Sequence, residues 1–217
     1  MKGPFPRTIA AAVFAVVVHA GVAAQSGSAP QGSAPPEPKP RPDLVTQPYS
    51  QADVEFMAGM IPHHAQAVAM ATMAPTHAGS ATVKILCERQ LVSQRDEIEL
   101  MRNWLRDRGQ RVPPANATRH RMLMNGMEHD MLMPGMLSDD EMAQLDKARG
   151  AEWDKLFLKF MIKHHEGALK MVEDLFATYG AAQGDDVYKL ASDIQADQTA
   201  EIERMQKMLA GGGNDDV

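Results

Sequence analysis

The sequence predicts an all-α protein, a four-helix bundle made of two helix-turn-helix repeats with a Met-rich connecting segment. Of its 217 residues 44% are hydrophobic but only 5% are aromatic, which favours helices packed through Leu, Met, Ala and Val over a β-rich core. A second observation is internal repetition. The phrase Met60-Ile61-x-His63-His64 returns 101 residues later as Met161-Ile162-x-His164-His165.

The repeat extends to a second helix in each half. Gln94-x-x-Glu97-Ile98-Glu99-x-Met101 matches Gln198-x-x-Glu201-Ile202-Glu203-x-Met205. Each repeat therefore contains two amphipathic helices, and such pairs bury their apolar faces against each other in a four-helix bundle.

The N-terminal region is predicted to direct export. Residues 1–24 have basic Lys2 and Arg7, an apolar run over 9–18 and a small-residue cleavage site at 22–24, which is the pattern of a signal peptide. The apolar run is too short to span a bilayer. We expect a periplasmic or secreted protein with no stable membrane insertion of the mature chain.

The remaining boundaries follow from composition. Residues 25–48 are rich in Pro, Ser and Gly and are predicted to form a disordered linker. The helical domain is predicted over 49–210, and 211–217 form a flexible tail.

Four helices are predicted within the domain. Ser50 is the expected N-cap of the first, which ends near Met73 and is expected to kink at Pro62. The second covers about 80–108 and stops at Gly109.

The second half begins at a capping box. Ser138-Asp139-Asp140-Glu141 opens a helix that is expected to break at Gly150 and to end near Tyr179. The final helix covers about 185–209. Residues 110–137 lack clear helical periodicity.

The predicted second helix carries polar residues on its inward face. The stripe consists of Val83, Cys87, Gln90, Gln94, Glu97 or Ile98, Met101 and Leu105. The Gln and Glu residues either orient nearby imidazoles or form a polar layer that sets the register of the bundle. Cys87 is the only cysteine and forms no internal disulfide; a buried small residue is the expected role, with copper ligation or intermolecular pairing as alternatives.

The chemistry-bearing residues indicate a soft metal. Residues three and four apart on a helix are neighbours, so Met60 lies beside His63 and His64, and Met161 beside His164 and His165. Thioethers select Cu(I) over Zn, Mg or Ca, while Cu(II) through the imidazoles and Ag(I) remain open.

The Met-rich segment predicts a second, looser site. Its candidate ligands are His120, Met122, Met124, Met127, His129, Met131, Met133 and Met136. The other methionines have ordinary helical spacing and are assigned to core packing. They are Met57, Met70, Met73, Met101, Met142, Met171, Met205 and Met208.

Several function classes are disfavoured. A net charge of -6 argues against a nucleic-acid partner. Di-iron enzymes on such bundles need Glu-x-x-His, and here Met60, Ile61, Met161 and Ile162 occupy the positions three before the histidines. No hydrolase motif is present, so no enzyme is predicted. A di-iron-type or other metal-dependent oxidoreductase and a non-metal structural module remain the alternatives.

These features together resemble the domain of unknown function 305 family. The matching stretches lie in residues 56–67, 133–142, 157–168 and 198–205. The resemblance implies a ferritin-like helical bundle exported from bacteria, with copper-binding resistance proteins among its relatives. It implies no established reaction.

We therefore expect an exported copper-binding protein that buffers or chaperones Cu(I), or that confers copper resistance. The bundle site would comprise His63, His64, His164, His165, Met60 and Met161. Its expected partner is the metal ion, with other copper-handling proteins and a second copy of the chain left open.

Overall fold

The computed structural model describes residues 48–124 and 127–211, with the backbone alone for 122–124 and 128. The elements of this part are α1 (Gln51–Thr72), α2 (Ala74–His77), α3 (Ala81–Asp107), β1 (His120–Met124), β2 (Met127–Met131), α4 (Asp139–Lys147), α5 (Gly150–Ala177) and α6 (Asp185–Leu209). The all-α prediction is confirmed. The predicted signal peptide, nearly all of the predicted linker and most of the tail lie outside the described residues.

Within the described part of the chain, no helix is long and apolar enough to span a bilayer.

The helix boundaries follow the capping signals. Ser50 caps α1 through a capping box with Asp53, and Ser138 caps α4 in the same way with Glu141. The helix continues through Pro62 as one element. The expected break between α4 and α5 is confirmed: it lies just before Gly150, whose φ of +62° favours glycine.

The Met-rich segment contains a β-hairpin that the sequence did not predict. Strands β1 and β2 pair antiparallel, with His120 opposite Met131 and Met122 opposite His129. The pattern His-x-Met-x-Met followed by Met-x-His-x-Met has the period of two that a strand requires. The lack of helical periodicity in residues 110–137 agrees with this hairpin.

The four long helices pack in pairs. Helix α1 packs on α3, α5 packs on α6, and α1 also packs on α5. Two apolar clusters fill the interior. Helix α1 contributes residues 56–61 to the first cluster and, further along the chain, residues 67–71 to the second. Helix α5 contributes in the opposite order, with residues 157–161 in the second cluster and residues 168–175 in the first. The two helices therefore run antiparallel.

A polar layer lies between these two clusters. Its buried side chains are His63, His64, Gln90, Gln94, Glu97, His164, His165 and Gln198. The predicted inward stripe of α3 is buried along its whole length, so the polar positions in it were placed correctly. Buried polar groups need partners, and the partners of this layer determine its chemistry.

Candidate metal centre

The two His-His pairs meet in the middle of the protein. All four imidazoles are buried. The rings of His63 and His164 are tilted against each other with centroids 3.8 Å apart, while neighbours within a pair are 6.2 Å and 6.3 Å apart. Antiparallel packing of α1 on α5 brings the repeated motifs together at one level, so the four histidines form one cluster, the His quartet.

Hydrogen bonds orient three of these rings. Nε2 of His64 lies 2.6 Å from Oε2 of Glu97, and Nε2 of His165 lies 2.5 Å from Oε2 of Glu201. The Nε2 of His63 lies 2.9 Å from the carbonyl oxygen of Pro134. Because a carbonyl or carboxylate oxygen can only accept, each Nε2 donates its hydrogen.

The orientation leaves lone pairs inside the protein. In a neutral imidazole with its hydrogen on Nε2, Nδ1 carries the lone pair. The Nδ1 atoms of His63, His64 and His165 are buried, and none has a hydrogen-bond partner among the described residues. Metal-ligating histidines in proteins have this arrangement, in which one nitrogen is fixed by a carboxylate or carbonyl and the other is available.

His164 differs from the other three. The carbonyl of His63 faces its ring, but neither ring nitrogen makes a hydrogen bond of normal geometry with any described residue. Burial, followed by the proximity of His63, holds its pKa well below the usual range. Burial, helped by His64, also lowers the pKa of His63 to about 3. These two imidazoles are therefore neutral, as metal ligation requires.

Met60 and Met161 are both fully buried, on opposite sides of the His quartet. Met60 belongs to the first apolar cluster and Met161 to the second. Each lies one helical turn before its own His pair, so a thioether is placed on either side of the imidazole layer.

Residues 133–137 form a strap across α1 and α5, beside His63. The strap approaches α5 so closely that a Cβ on Gly167 would lie 1.9 Å from the carbonyl oxygen of Pro134 and 2.6 Å from Cα of Gly135. Gly135 has a φ of +76°. Only glycine at these two positions allows the Pro134 carbonyl to reach His63.

Gln66 anchors the end of the strap. Its Nε2 donates to the Leu137 carbonyl at 2.9 Å, and its Oε1 accepts from the Leu137 amide at 2.7 Å. Both residues are buried. Sequence reasoning missed Gln66, because no nearby residue indicates a partner 71 positions away.

The backbone divides the eight candidate ligands of the Met-rich segment between the hairpin and the strap. Six of them occupy positions of the hairpin that share one face by strand alternation; they are His120, Met122, Met124, Met127, His129 and Met131. Met127, His129 and Met131 are exposed, and His120 is partly buried. Met133 and Met136 belong instead to the strap, where Met136 is buried and its sulfur lies 3.2 Å from the Met133 amide.

Within residues 48–124 and 127–211, no three His, Cys, Asp or Glu side chains are arranged to enclose a metal ion as they stand. Methionine, the ligand type that selects Cu(I), is not among those residue types. The residue types of the quartet and of the two flanking methionines, imidazole and thioether, are those that a soft ion prefers, and Glu97 and Glu201 orient two of the imidazoles.

His77 shows what a structural histidine looks like in this protein. Its Nδ1 lies 2.8 Å from the Thr76 hydroxyl and its Nε2 lies 3.1 Å from the Asp146 carbonyl. Both nitrogens have partners, in contrast to the His quartet.

The motifs of the quartet lie within the match of a known family model. The model for a domain of unknown function, DUF305, matches residues 53–209. The chain belongs to the DUF305 family. No curated protein shows significant similarity to this DUF305 chain.

Solved DUF305 structures share the fold. A fragment from Deinococcus radiodurans is 28% identical, with a TM-score of 0.60 over 76% of this chain and 99% of that one. A Streptomyces coelicolor DUF305 protein, named as a candidate secreted protein, is 25% identical, with a TM-score of 0.61 over 76% and 96%. CopM in its Cu(I)-bound form is 27% identical, with a TM-score of 0.57 over 75% and 98%.

Proposed function

We propose that this DUF305 protein is an exported Cu(I)-binding protein that buffers or chaperones copper outside the cytoplasm, or that confers copper resistance. The observation that carries the proposal is the His quartet. The buried Nδ1 atoms of His63, His64 and His165 have no hydrogen-bond partner among the described residues, while their Nε2 atoms are held by Pro134, Glu97 and Glu201.

An unsatisfied buried polar atom costs roughly 1–3 kcal/mol. Several such atoms in one layer are costly unless buried water or a bound ion satisfies them. A cation that accepts imidazole and thioether ligands satisfies the Nδ1 lone pairs and uses Met60 and Met161 on either side. Cu(I) and Ag(I) meet this description, and Cu(II) would bind through the imidazoles.

The hairpin is the second proposed site. Its six His and Met positions alternate along both strands on one face, and Met127 is 62% exposed and Met131 40% exposed. Exposed thioethers on a hairpin suit capture and release better than long-term storage. We assign binding, without catalysis, to both sites.

Relatives support the proposal. CopM has been solved with Cu(I), with Cu(II) and with silver. The candidate secreted protein of Streptomyces coelicolor supports export of this chain.

Competition with a chromogenic Cu(I) chelator measures the Cu(I) affinity of the protein and so tests the His quartet. The variant His63→Asn/His164→Asn removes two ligands, and His77→Gln is the matched control because it changes a buried histidine whose nitrogens already have partners. We expect at least about tenfold weaker binding in the double variant and wild-type affinity in the control. Equal affinity in all three proteins, with circular dichroism showing intact helices, would reject the quartet as the site.

A volume-conserving variant tests the hairpin. Replacing Met122, Met124, Met127 and Met131 by Leu keeps the apolar character of these positions. We expect the number of copper ions bound per chain to fall by the number that the hairpin holds, while the His quartet still binds copper. Unchanged stoichiometry would assign these methionines to packing alone.

A further inference from the structure

A small pocket lies between α1 and α5, beside the strap. Its volume is about 210 Å³, and its lining includes Phe56, Met133, Met171 and Leu175, with Glu55 and Asp174 also in contact with it. Sequence reasoning assigned Met171 to core packing, and the residue is indeed buried, with an exposed fraction of 6%. Its side chain nevertheless reaches this pocket.

Two thioether side chains converge in front of Gly59. A Cβ on this glycine would lie 2.8 Å from Cε of Met133 and 3.5 Å from Cε of Met171, with the Met133 sulfur at 3.6 Å. These are the three nearest atoms to that point. Methionines 38 residues apart in sequence thus bring their ends to one spot, and the missing side chain of Gly59 leaves room for them.

The pocket adjoins the His quartet through the strap. Met133 directly precedes Pro134, whose carbonyl oxygen accepts the hydrogen bond from Nε2 of His63. Gly135 and Gly167 hold that carbonyl against α5. Met133 is therefore linked to the His63 imidazole through one residue, Pro134.

The charges around the pocket suit a cation. Glu55 accepts a hydrogen bond from Nε2 of Gln51 at 3.2 Å. Asp174 pairs with Lys170. Because Lys170 compensates Asp174, Glu55 is the carboxylate of the lining that attracts a small cation to the mouth, and the thioethers of Met133 and Met171 select a soft one.

We propose that Met133 and Met171 form an entry site that takes Cu(I) or Ag(I) from solvent and passes it past Pro134 to His63 and His164. This inference rests on the proposed function and adds a route to it. The transfer is an exchange of ligands on one ion, from thioether sulfur to imidazole nitrogen, with no change in oxidation state.

Methyl NMR of protein labelled with ¹³C at methionine methyl groups tests the site directly. Ag(I), which is stable in air, is the probe. We expect the Met133 and Met171 methyl signals, assigned from single Met→Leu variants, to shift on addition of Ag(I) to His63→Asn/His164→Asn, in which the ion cannot be passed on. Signals of both methionines that stay unchanged in that variant would overturn the proposal.

Loading kinetics supply a second test. In Met133→Leu/Met171→Leu, Cu(I) transfer from a chelator to the protein should slow by about tenfold, while the equilibrium affinity of the quartet changes less than about twofold. Met208→Leu is the matched control, because Met208 is partly buried outside the pocket. An unchanged rate in the double variant would contradict the entry site. Failure of the proposed function is distinguishable, since the wild type and the control would then bind no Cu(I).

Gly59→Ala offers a variant that crowds the ends of Met133 and Met171 without removing a ligand. Its new methyl group would displace the flexible end of Met133, and alanine is favourable in a helix. We expect the same slow loading in a fully folded protein. Wild-type rates in this variant, with displaced Met133 signals, would show that Met133 does not receive the metal.

Discussion

Asp53 and Asp154 are equivalent residues that each bind the backbone of the opposite half. Asp53 accepts from the Ala182 amide at 2.7 Å, in the loop before α6. Asp154 accepts from the amides of Gly79 and Ser80 at 3.1 Å and 2.8 Å, just before α3. They are 101 residues apart, the same offset that relates the two His-His pairs. Reciprocal contacts therefore join the halves far from the His quartet.

The two carboxylates should contribute unequally to stability. Asp53 is fully buried and also accepts from the amide of Ser50, so Asp53→Ala should lower the free energy of unfolding by about 2 kcal/mol. Asp154→Ala should cost about 1 kcal/mol, as for a lost helix cap. Urea unfolding followed by circular dichroism measures both. Asp193→Ala, which removes an exposed ion pair with Lys189, is the control and should change stability by less than about 0.5 kcal/mol. A loss no larger than the control's for Asp53→Ala would refute the role of this contact.

Gly167→Ala should destabilise the protein although alanine favours helices. Intrinsic preference alone would stabilise α5 by about 1 kcal/mol. The new Cβ would instead lie 1.9 Å from the carbonyl oxygen of Pro134. Neither atom can avoid this clash by a change of rotamer, because the Cβ is fixed to α5 and the oxygen belongs to the backbone of the strap. We expect a net loss of about 2 kcal/mol in urea unfolding, and faster hydrogen exchange at the Leu137 amide as the strap moves. A more stable variant would show that the strap is not held as tightly as described.

The stability of the metal-free protein should fall with acid because of His63. Its pKa is about 3 in the folded protein against 6.5 ordinarily. The unfolded chain therefore binds the extra proton between these values, so this contribution is complete above about pH 6.5 and is lost as pH falls toward 3. Comparison of urea midpoints at pH 7.5 and 5 should show a smaller drop in His63→Asn than in the wild type. Equal drops would mean that His63 does not titrate in this way.

The same shift determines how copper release should depend on pH. With ordinary imidazole pKa values, a His-dominated copper site would release its metal at about pH 5, whereas a Met-dominated site would retain it. Because His63 and His164 have lowered pKa values, protonation of these two does not compete at that pH. Retention of copper at pH 5 therefore does not distinguish the two sites, and ligand substitution must do so.

Cys87 should be unreactive in the folded protein. Burial, followed by the negative charge of Asp154, raises the pKa of its thiol from 9.0 to about 12. Since the thiolate is the nucleophile, its population at pH 8 is about a thousandfold lower than in an unperturbed cysteine. Iodoacetamide should modify the native protein far more slowly than the protein in guanidinium, as mass spectrometry can measure. Equal rates would contradict the buried packing of this side chain.

Local signals in the sequence were enough to predict where the long helices begin and end. The capping boxes at Ser50 and Ser138 set the starts of α1 and α4, and glycines marked the ends or breaks. The buried stripe of α3 followed from its period. These features depend on residues within one turn of each other, which is why sequence alone could predict them.

The contacts between distant segments could not be predicted in this way. Nothing in the sequence near Gln66 indicates that its amide pairs with Leu137, 71 residues away. The approach of Pro134 to Gly167 depends on how the strap crosses α5. The meeting of the two His pairs depends on the antiparallel packing of α1 and α5. Such relationships arise from tertiary packing, and only the repeat hinted at them.

The division of the His quartet between the halves bears on the origin of the chain. Each repeat supplies two of the four imidazoles, and each supplies an Asp whose partner amide belongs to the other repeat. A half-length ancestor would have completed both features only by pairing with a second copy of itself about a twofold axis. Duplication and fusion would then have freed the copies to diverge, as Pro62 in one motif and Lys163 in the other, now paired with Glu141, illustrate.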